Sequence, residues 1–137
     1  MQTLADFIKT HQIRMTATRI PARTDALMDM PNARHWNCYL HRIGYGPSGQ
    51  GWEGIAIEYS QGSAHTKAPT CADILDCLAS DDTRGQYFED WASDIGYDTD
   101  SRKAYATWEA CKSSGEKLLK LLGHEAHRDL LDNVERL

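Results

Sequence analysis

The chain lacks every short signature that would announce a chemistry. Its four cysteines, Cys38, Cys71, Cys77 and Cys111, form no Cys-x-x-Cys pair, so the spacing preferred by structural zinc or a dithiol redox centre is missing. They read as reduced, buried small hydrophobes. No Gly-Lys-Ser/Thr follows a glycine-rich stretch, which excludes a P-loop. No apolar run approaches the roughly 20 residues of a membrane span. Bases are outnumbered, 15 against 20 acids, and that balance argues against direct gripping of a nucleic-acid backbone. The opening MQTLADFIKT carries Asp6 and no basic, apolar, cleavable layout, so a cytoplasmic protein is expected. Repeats, low-complexity tracts and linker-like stretches are also missing, and residues 1–137 read as a single α+β domain.

What is present is an uneven placement of charge. Residues 1–68 hold seven bases and five acids, whereas 69–137 hold eight bases and fifteen acids. Nine acids fall between positions 73 and 100: Asp73, Asp76, Asp81, Asp82, Glu89, Asp90, Asp94, Asp98 and Asp100, interrupted by the single base Arg84. The acids are threaded with aromatic and aliphatic residues, so the zone is expected to fold while keeping a negative face.

The pattern of apolar residues changes along the chain. Thr3 followed by Asp6 has the spacing of a capping box, and Leu4, Phe7 and Ile8 then share a face, which predicts a short first helix. Ile13, Met15 and Ala17 alternate with polar residues and predict a strand. Residues 21–34 contain two prolines and read as a connecting loop anchored by Met28 and Met30. HWNCYLHRIG alternates again, with Trp36, Cys38 and Leu40 on one side. WEGIAIEYS returns with Ile55, Ile57 and Tyr59 on one face, and GYGPSGQG between them is the turn of a hairpin. The expectation is a small antiparallel sheet of about three strands in a meander.

The rest reads as a C-terminal group of about four helices. Thr70 caps one with Ala72, Leu75, Leu78 and Ala79 inward. Phe88, Trp91, Ala92 and Ile95 mark a second, stopped by Gly96. Ala104, Trp108, Cys111, Gly115, Leu118 and Leu122 are spaced four, three, four, three, four along a long third, stopped by Gly123. Ala126, Leu130, Leu131 and Val134 mark a last helix over 125–134. Trp91 and Trp108 are the expected aromatic core of the helical part.

Several arrangements resemble motifs and fail them. Gly44-Tyr45-Gly46-Pro47-Ser48-Gly49 spells the dinucleotide fingerprint but lies between strands, where no helix N-terminus meets a pyrophosphate. His124-Glu125-Ala126-His127 places its histidines three apart, not the four of a zincin, and reads as a solvent-exposed helix start. His41 or His65 with Cys38 would need a base and an oxyanion site converging on the sulfur, and His35 adds neither. Asp98-x-Asp100 and Asp73-x-x-Asp76 lack the ligand series of an EF-hand, and Asp98 and Asp100 read as caps of the long helix.

CADILDCLASD, FEDWASDIGYDTDSRKA, the SQG after the hairpin strand and the terminal ERL resemble a group of small phage and prophage proteins mostly of unassigned function. The resemblance implies a phage setting, with anti-CRISPR proteins as the leading example of small acidic phage proteins that act on host defence. It implies no target and transfers no functional residue.

The expected function is therefore a non-enzymatic accessory protein that binds and inhibits a host defence protein or nucleoprotein with a basic groove, in the host cytoplasm. Tyr87, Tyr97 and Trp52 are the exposed aromatics expected to accompany the charge. The expected partner-binding residues are Asp73, Asp76, Asp81, Asp82, Asp90 and Asp94. They lie off the apolar positions of their helices and are expected to face solvent. No catalytic residue, metal ligand, cofactor or membrane contact is expected. The alternative is a small divalent-metal-dependent enzyme acting on nucleotides or nucleic acid through clustered carboxylates. A phage structural or assembly factor is a third possibility.

Overall fold

The computed structural model describes residues 2–15, 27–28, 36–43, 54–61 and 69–135. The glycine-rich turn, His35, His65, Met30, Trp52 and the terminal Arg136-Leu137 lie outside these residues. The described chain is α+β. β1 (Gln2–Thr3) leads into α1 (Leu4–Thr10), followed by β2 (Ile13–Met15), β3 (Leu27–Met28), β4 (Trp36–Ile43) and β5 (Gly54–Gln61). Then come α2 (Cys71–Asp81), α3 (Phe88–Ile95), α4 (Arg102–Leu122), α5 (His124–Arg128), a π-helical turn (Asp129–Asn133) and β6 (Val134–Glu135).

The helix starts follow from local hydrogen bonding. Asp6 N donates to Thr3 Oγ1 at 3.1 Å and Thr3 N donates to Asp6 Oδ2 at 3.2 Å. Thr70 and Asp73 repeat this reciprocal box at the start of α2, at 3.1 and 2.9 Å. Each box satisfies two backbone donors that the first turn leaves without helical partners. Gly96 closes α3 with φ +91°, a left-handed conformation that glycine adopts without a Cβ penalty. α4 is capped by Ser101, whose hydroxyl accepts from Ala104 N at 3.2 Å. The expected capping by Asp98 and Asp100 is thus corrected. Asp98 Oδ1 instead accepts from Asp100 N at 2.9 Å and folds the turn before the helix.

The sheet departs from the expected meander. β4 and β5 do form the antiparallel hairpin, in the register Leu40↔Ile57 and Cys38↔Tyr59. However, β2 pairs with β5 in parallel, Ile13↔Ile55, so the sheet is mixed, with order β2-β5-β4-β3. A period of two is the same for parallel and antiparallel partners, and the alternation of Ile13 and Met15 could not reveal the direction. β3 falls inside the stretch read as a loop. A second sheet pairs β1 with β6 in parallel, Gln2↔Val134. The last helix is correspondingly shorter than expected: after α5 the backbone widens into the π turn, and Val134 is a strand residue.

Two apolar clusters hold these elements. The larger joins Ile13, Cys38, Leu40, Ile55 and Ile57 of the sheet to Phe7, Leu75, Leu78, Leu118 and Leu130 of the helices. Arg42 sits at its edge and donates from Nε and Nη2 to Leu121 O at 3.1 and 2.8 Å, satisfying a C-terminal carbonyl of α4. The smaller cluster holds Phe88, Trp91 and Ala92 of α3 against Ala104 and Cys111 of α4. Trp108 packs against this cluster half-buried, with its Nε1 donating to Gln86 O at 3.2 Å. The predicted α4 seam is present, and it includes Ser114, buried and missed because serine reads as polar.

Candidate functional site

The acids between 73 and 100 do not form one face. Asp73 is exposed but spent on capping α2, and Asp76 is half-buried. Asp81 and Asp82 correct the expectation of solvent exposure. Asp81, the last residue of α2, is only 4% exposed. The Asp82 side chain is 5% exposed and lies 2.8 Å from His127 Nε2. Its Oδ1 also accepts from Arg84 N at 2.8 Å. The reason is chain direction: α2 ends at Asp81, and Asp82 turns toward Gly115 of α4 and His127 of α5, so helical periodicity stops predicting where these acids point.

Asp90 and Asp94 do stand in solvent, with Glu89, along α3. Gln86 Nε2 donates to Asp94 Oδ2 at 2.7 Å. Asp98 and Asp100 continue the negative strip into the following turn, both exposed. The same lobe carries Ile95, Tyr97 and Tyr105, all exposed large apolar side chains. Tyr97 stacks on Trp91 with ring centroids 5.5 Å apart, and Tyr105 lies 5.1 Å from Phe88. These exposed rings are therefore seated on buried ones. The Glu109 carboxylate accepts from the Tyr105 hydroxyl and pushes its ionisation up. Of the six expected partner-binding acids, the fold brings Asp90 and Asp94 together on an open face and separates them from the other four.

Asp82 belongs instead to a cleft of about 630 Å³ between the turn before α3, the middle of α4 and the segment from α5 into the π turn. His127 therefore corrects the reading of the HEAH stretch as an exposed helix start: His124 is exposed, but the His127 side chain is 14% exposed and held by Asp82. The buried pair fits because α4 has glycine at position 115. A Cβ there would stand 2.9 Å from Asp82 Oδ2. Arg84 spans the cleft, pairing with Asp132 and donating from Nη2 to Leu131 O at 2.7 Å. Tyr87 is 77% exposed at one side, and Lys112 Nζ lies 5.2 Å over the Trp108 ring. Periodicity marked Gly115 only as an apolar-seam position; its role in admitting a carboxylate needs the tertiary approach.

Family models, curated proteins and solved structures yield no match to this chain.

Among the described residues, no group of three or more His, Cys, Asp or Glu is arranged to hold a metal ion. Likewise, no helix among them is long and apolar enough to cross a membrane. The four cysteines are free thiols, Cys38 and Cys111 buried, Cys71 and Cys77 half-buried. Burial pushes the Cys38 thiol from its ordinary 9.0 up to about 12, with the nearby Cys77 adding to the shift. Burial also raises Cys71, and it raises Cys77 with help from Asp76, Asp81 and Asp73. Since the thiolate is the reactive form, native protein should react slowly with an aromatic disulfide reagent at pH near 8, and denatured protein should release all four thiols. Rapid release of Cys38 from native protein would overturn this. The folded state holds the Cys38 proton more tightly than the unfolded state. Its contribution to stability is therefore complete below pH 9 and is lost as pH rises toward about 12. A urea midpoint that does not fall across that alkaline window would contradict the assignment.

Proposed function

We propose that this chain is a non-enzymatic binding protein that docks the acidic face of α3 onto a basic surface of a host protein or nucleoprotein. In the phage setting implied by the sequence resemblance, it acts in the host cytoplasm as an inhibitor of a defence complex, in the manner of an anti-CRISPR protein. The observation that supports the docking reading is the coincidence of charge and exposed apolar area. Glu89, Asp90 and Asp94 line the open side of α3, Asp98 and Asp100 follow, and Ile95, Tyr97 and Tyr105 stand on the same lobe. Carboxylates steer a basic partner and fix its register, while aromatic rings supply area that becomes buried on contact. A merely solubilising face has no need of the rings. Asp73, Asp76, Asp81 and Asp82 drop out of the proposed contact, because capping and burial already occupy them.

The test uses the full chain as bait in a host lysate, followed by binding to the purified captured partner. Replacing Glu89, Asp90 and Asp94 by their amides should leave the melting curve in place, since exposed charges change stability by about 0.5 kcal/mol or less each. The same change should weaken partner binding at low salt by about tenfold or more, and the difference should shrink as salt is raised. Retained affinity in a folded triple variant would sink the docking reading. Activity at substoichiometric dose would replace it with an enzymatic one.

A further inference from the structure

The large apolar side chains that stand exposed among the described residues, Tyr87, Ile95, Tyr97 and Tyr105, all fall on the lobe built from α3 and the start of α4. Apolar area gathered in one place marks a contact surface, whereas single exposed residues scattered over a protein do not. The same stretch, residues 86–112, holds six acids against three bases. α3 itself has no base. Arg102 and Lys103 follow Asp98 and Asp100 in the chain, and Lys112 Nζ lies 5.2 Å over the Trp108 ring. Charge and rings together suit one kind of occupant, a cation that can also lie flat on an aromatic face.

The two properties meet at Tyr105. Its ring meets Phe88 edge-on, with centroids 5.1 Å apart and planes at 72°, and tilts against Trp108 at 5.4 Å and 44°. Both neighbours hold it in place, yet it stays 46% exposed. Two carboxylates act on its hydroxyl, one from each helix. Glu109, one turn along α4, accepts its hydrogen bond, and Glu89 of α3 reaches it through space. Both acids are exposed, and neither has an ion-pair partner among the described residues. Two negative charges therefore flank a fixed ring whose π-face attracts cations.

Arginine fits this arrangement better than lysine. A guanidinium is planar, so it stacks on the ring while its in-plane N–H groups point at flanking carboxylates. A lysine ammonium is a compact, strongly hydrated point charge that gains less from the ring. Resting on the docking reading above, we propose that the α3 face selects an arginine-rich segment of its protein partner, with one guanidinium laid on Tyr105 between Glu89 and Glu109.

Nona-arginine and nona-lysine peptides, each carrying a fluorophore, test the selection by anisotropy titration with the full chain at low salt. The arginine peptide is expected to bind about fivefold tighter or more. Tyr105→Leu removes the ring and keeps an apolar contact to Phe88, and it should bring arginine binding to within about twofold of lysine binding. Tyr105→Phe keeps the ring and should keep most of the preference, which guards against a leucine variant that folds poorly. Equal binding of the two peptides by the parent overturns the proposal, and so does a preference that survives Tyr105→Leu in full. If the Glu89, Asp90 and Asp94 amide variant loses the captured partner while the parent binds both peptides alike, arginine selection falls and the docking reading stands. If that variant keeps the partner and the parent binds neither peptide saturably at about millimolar concentration, both fall.

Discussion

Truncating Trp91 to alanine is expected to lower stability by about 3–5 kcal/mol, the cost of emptying a buried aromatic site. Trp91 is only 4% exposed and lies at the centre of the smaller cluster. Phe88 stands 6.4 Å away and Tyr97 5.5 Å away between ring centroids, so the lost indole leaves both rings partly unsupported. Trp108→Ala should cost less, about 2 kcal/mol, because that indole is half-buried and loses one hydrogen bond to Gln86 O. Urea denaturation of the two variants measures the ordering. Equal shifts of the midpoint, or none, would mean that α3 is not seated on α4 as described. A near-native melt for Trp91→Ala would also weaken the docking proposal, since the exposed rings of that face rest on this cluster.

Replacing Gly115 by alanine is expected to destabilise the protein by about 1–3 kcal/mol, although alanine is the better helix former. The new Cβ would lie 2.9 Å from Asp82 Oδ2 and 3.2 Å from its Cγ. A carboxylate at the end of a free side chain would swing away. This one is fixed between His127 Nε2 and Arg84 N, each at 2.8 Å. Displacing it leaves a buried charge without its partner, which is the costly way to break such a pair. The sign of the effect should reverse once the carboxylate is gone. In an Asp82→Ala background, Gly115→Ala should stabilise by about 1 kcal/mol through helix propensity alone. A double-mutant cycle read by urea denaturation checks the reversal. The same penalty in both backgrounds would place the clash elsewhere.

The parts of this fold governed by neighbours in sequence were legible. Thr3 with Asp6, Thr70 with Asp73, and Gly96 all act through bonds three or four residues away, and the letters alone locate them. The β4–β5 hairpin and the α4 seam were legible for the same reason, because a periodic apolar face has one way to be buried. The direction of β2 was not, since its partner β5 lies across the connecting segments and alternation has no polarity. Asp81 and Asp82 show the same limit at the site. Their spacing along α2 placed them outside, but a helix end obeys the element it runs into. His127 looked like half of a failed motif because its partner lies 45 positions earlier. Asp73, Asp90 and Asp94 are exposed as expected, and the last two lie on a helix whose buried face Phe88, Trp91 and Ala92 already define.

The parallel pairing of β1 with β6 has a consequence for how the molecule is made. Gln2 and Thr3 are synthesised more than a hundred residues before their ladder partners Val134 and Glu135. Until then Leu4 and Phe7 can pack only against an unfinished core, because Leu130 and Val134 belong to the same cluster. Closing so long a loop adds little to its entropic cost beyond that of a shorter one, but it delays the event. During synthesis the hairpin and the early helices can form in order, whereas this small sheet is a latch that cannot close until the strand beginning at Val134 has cleared the exit tunnel.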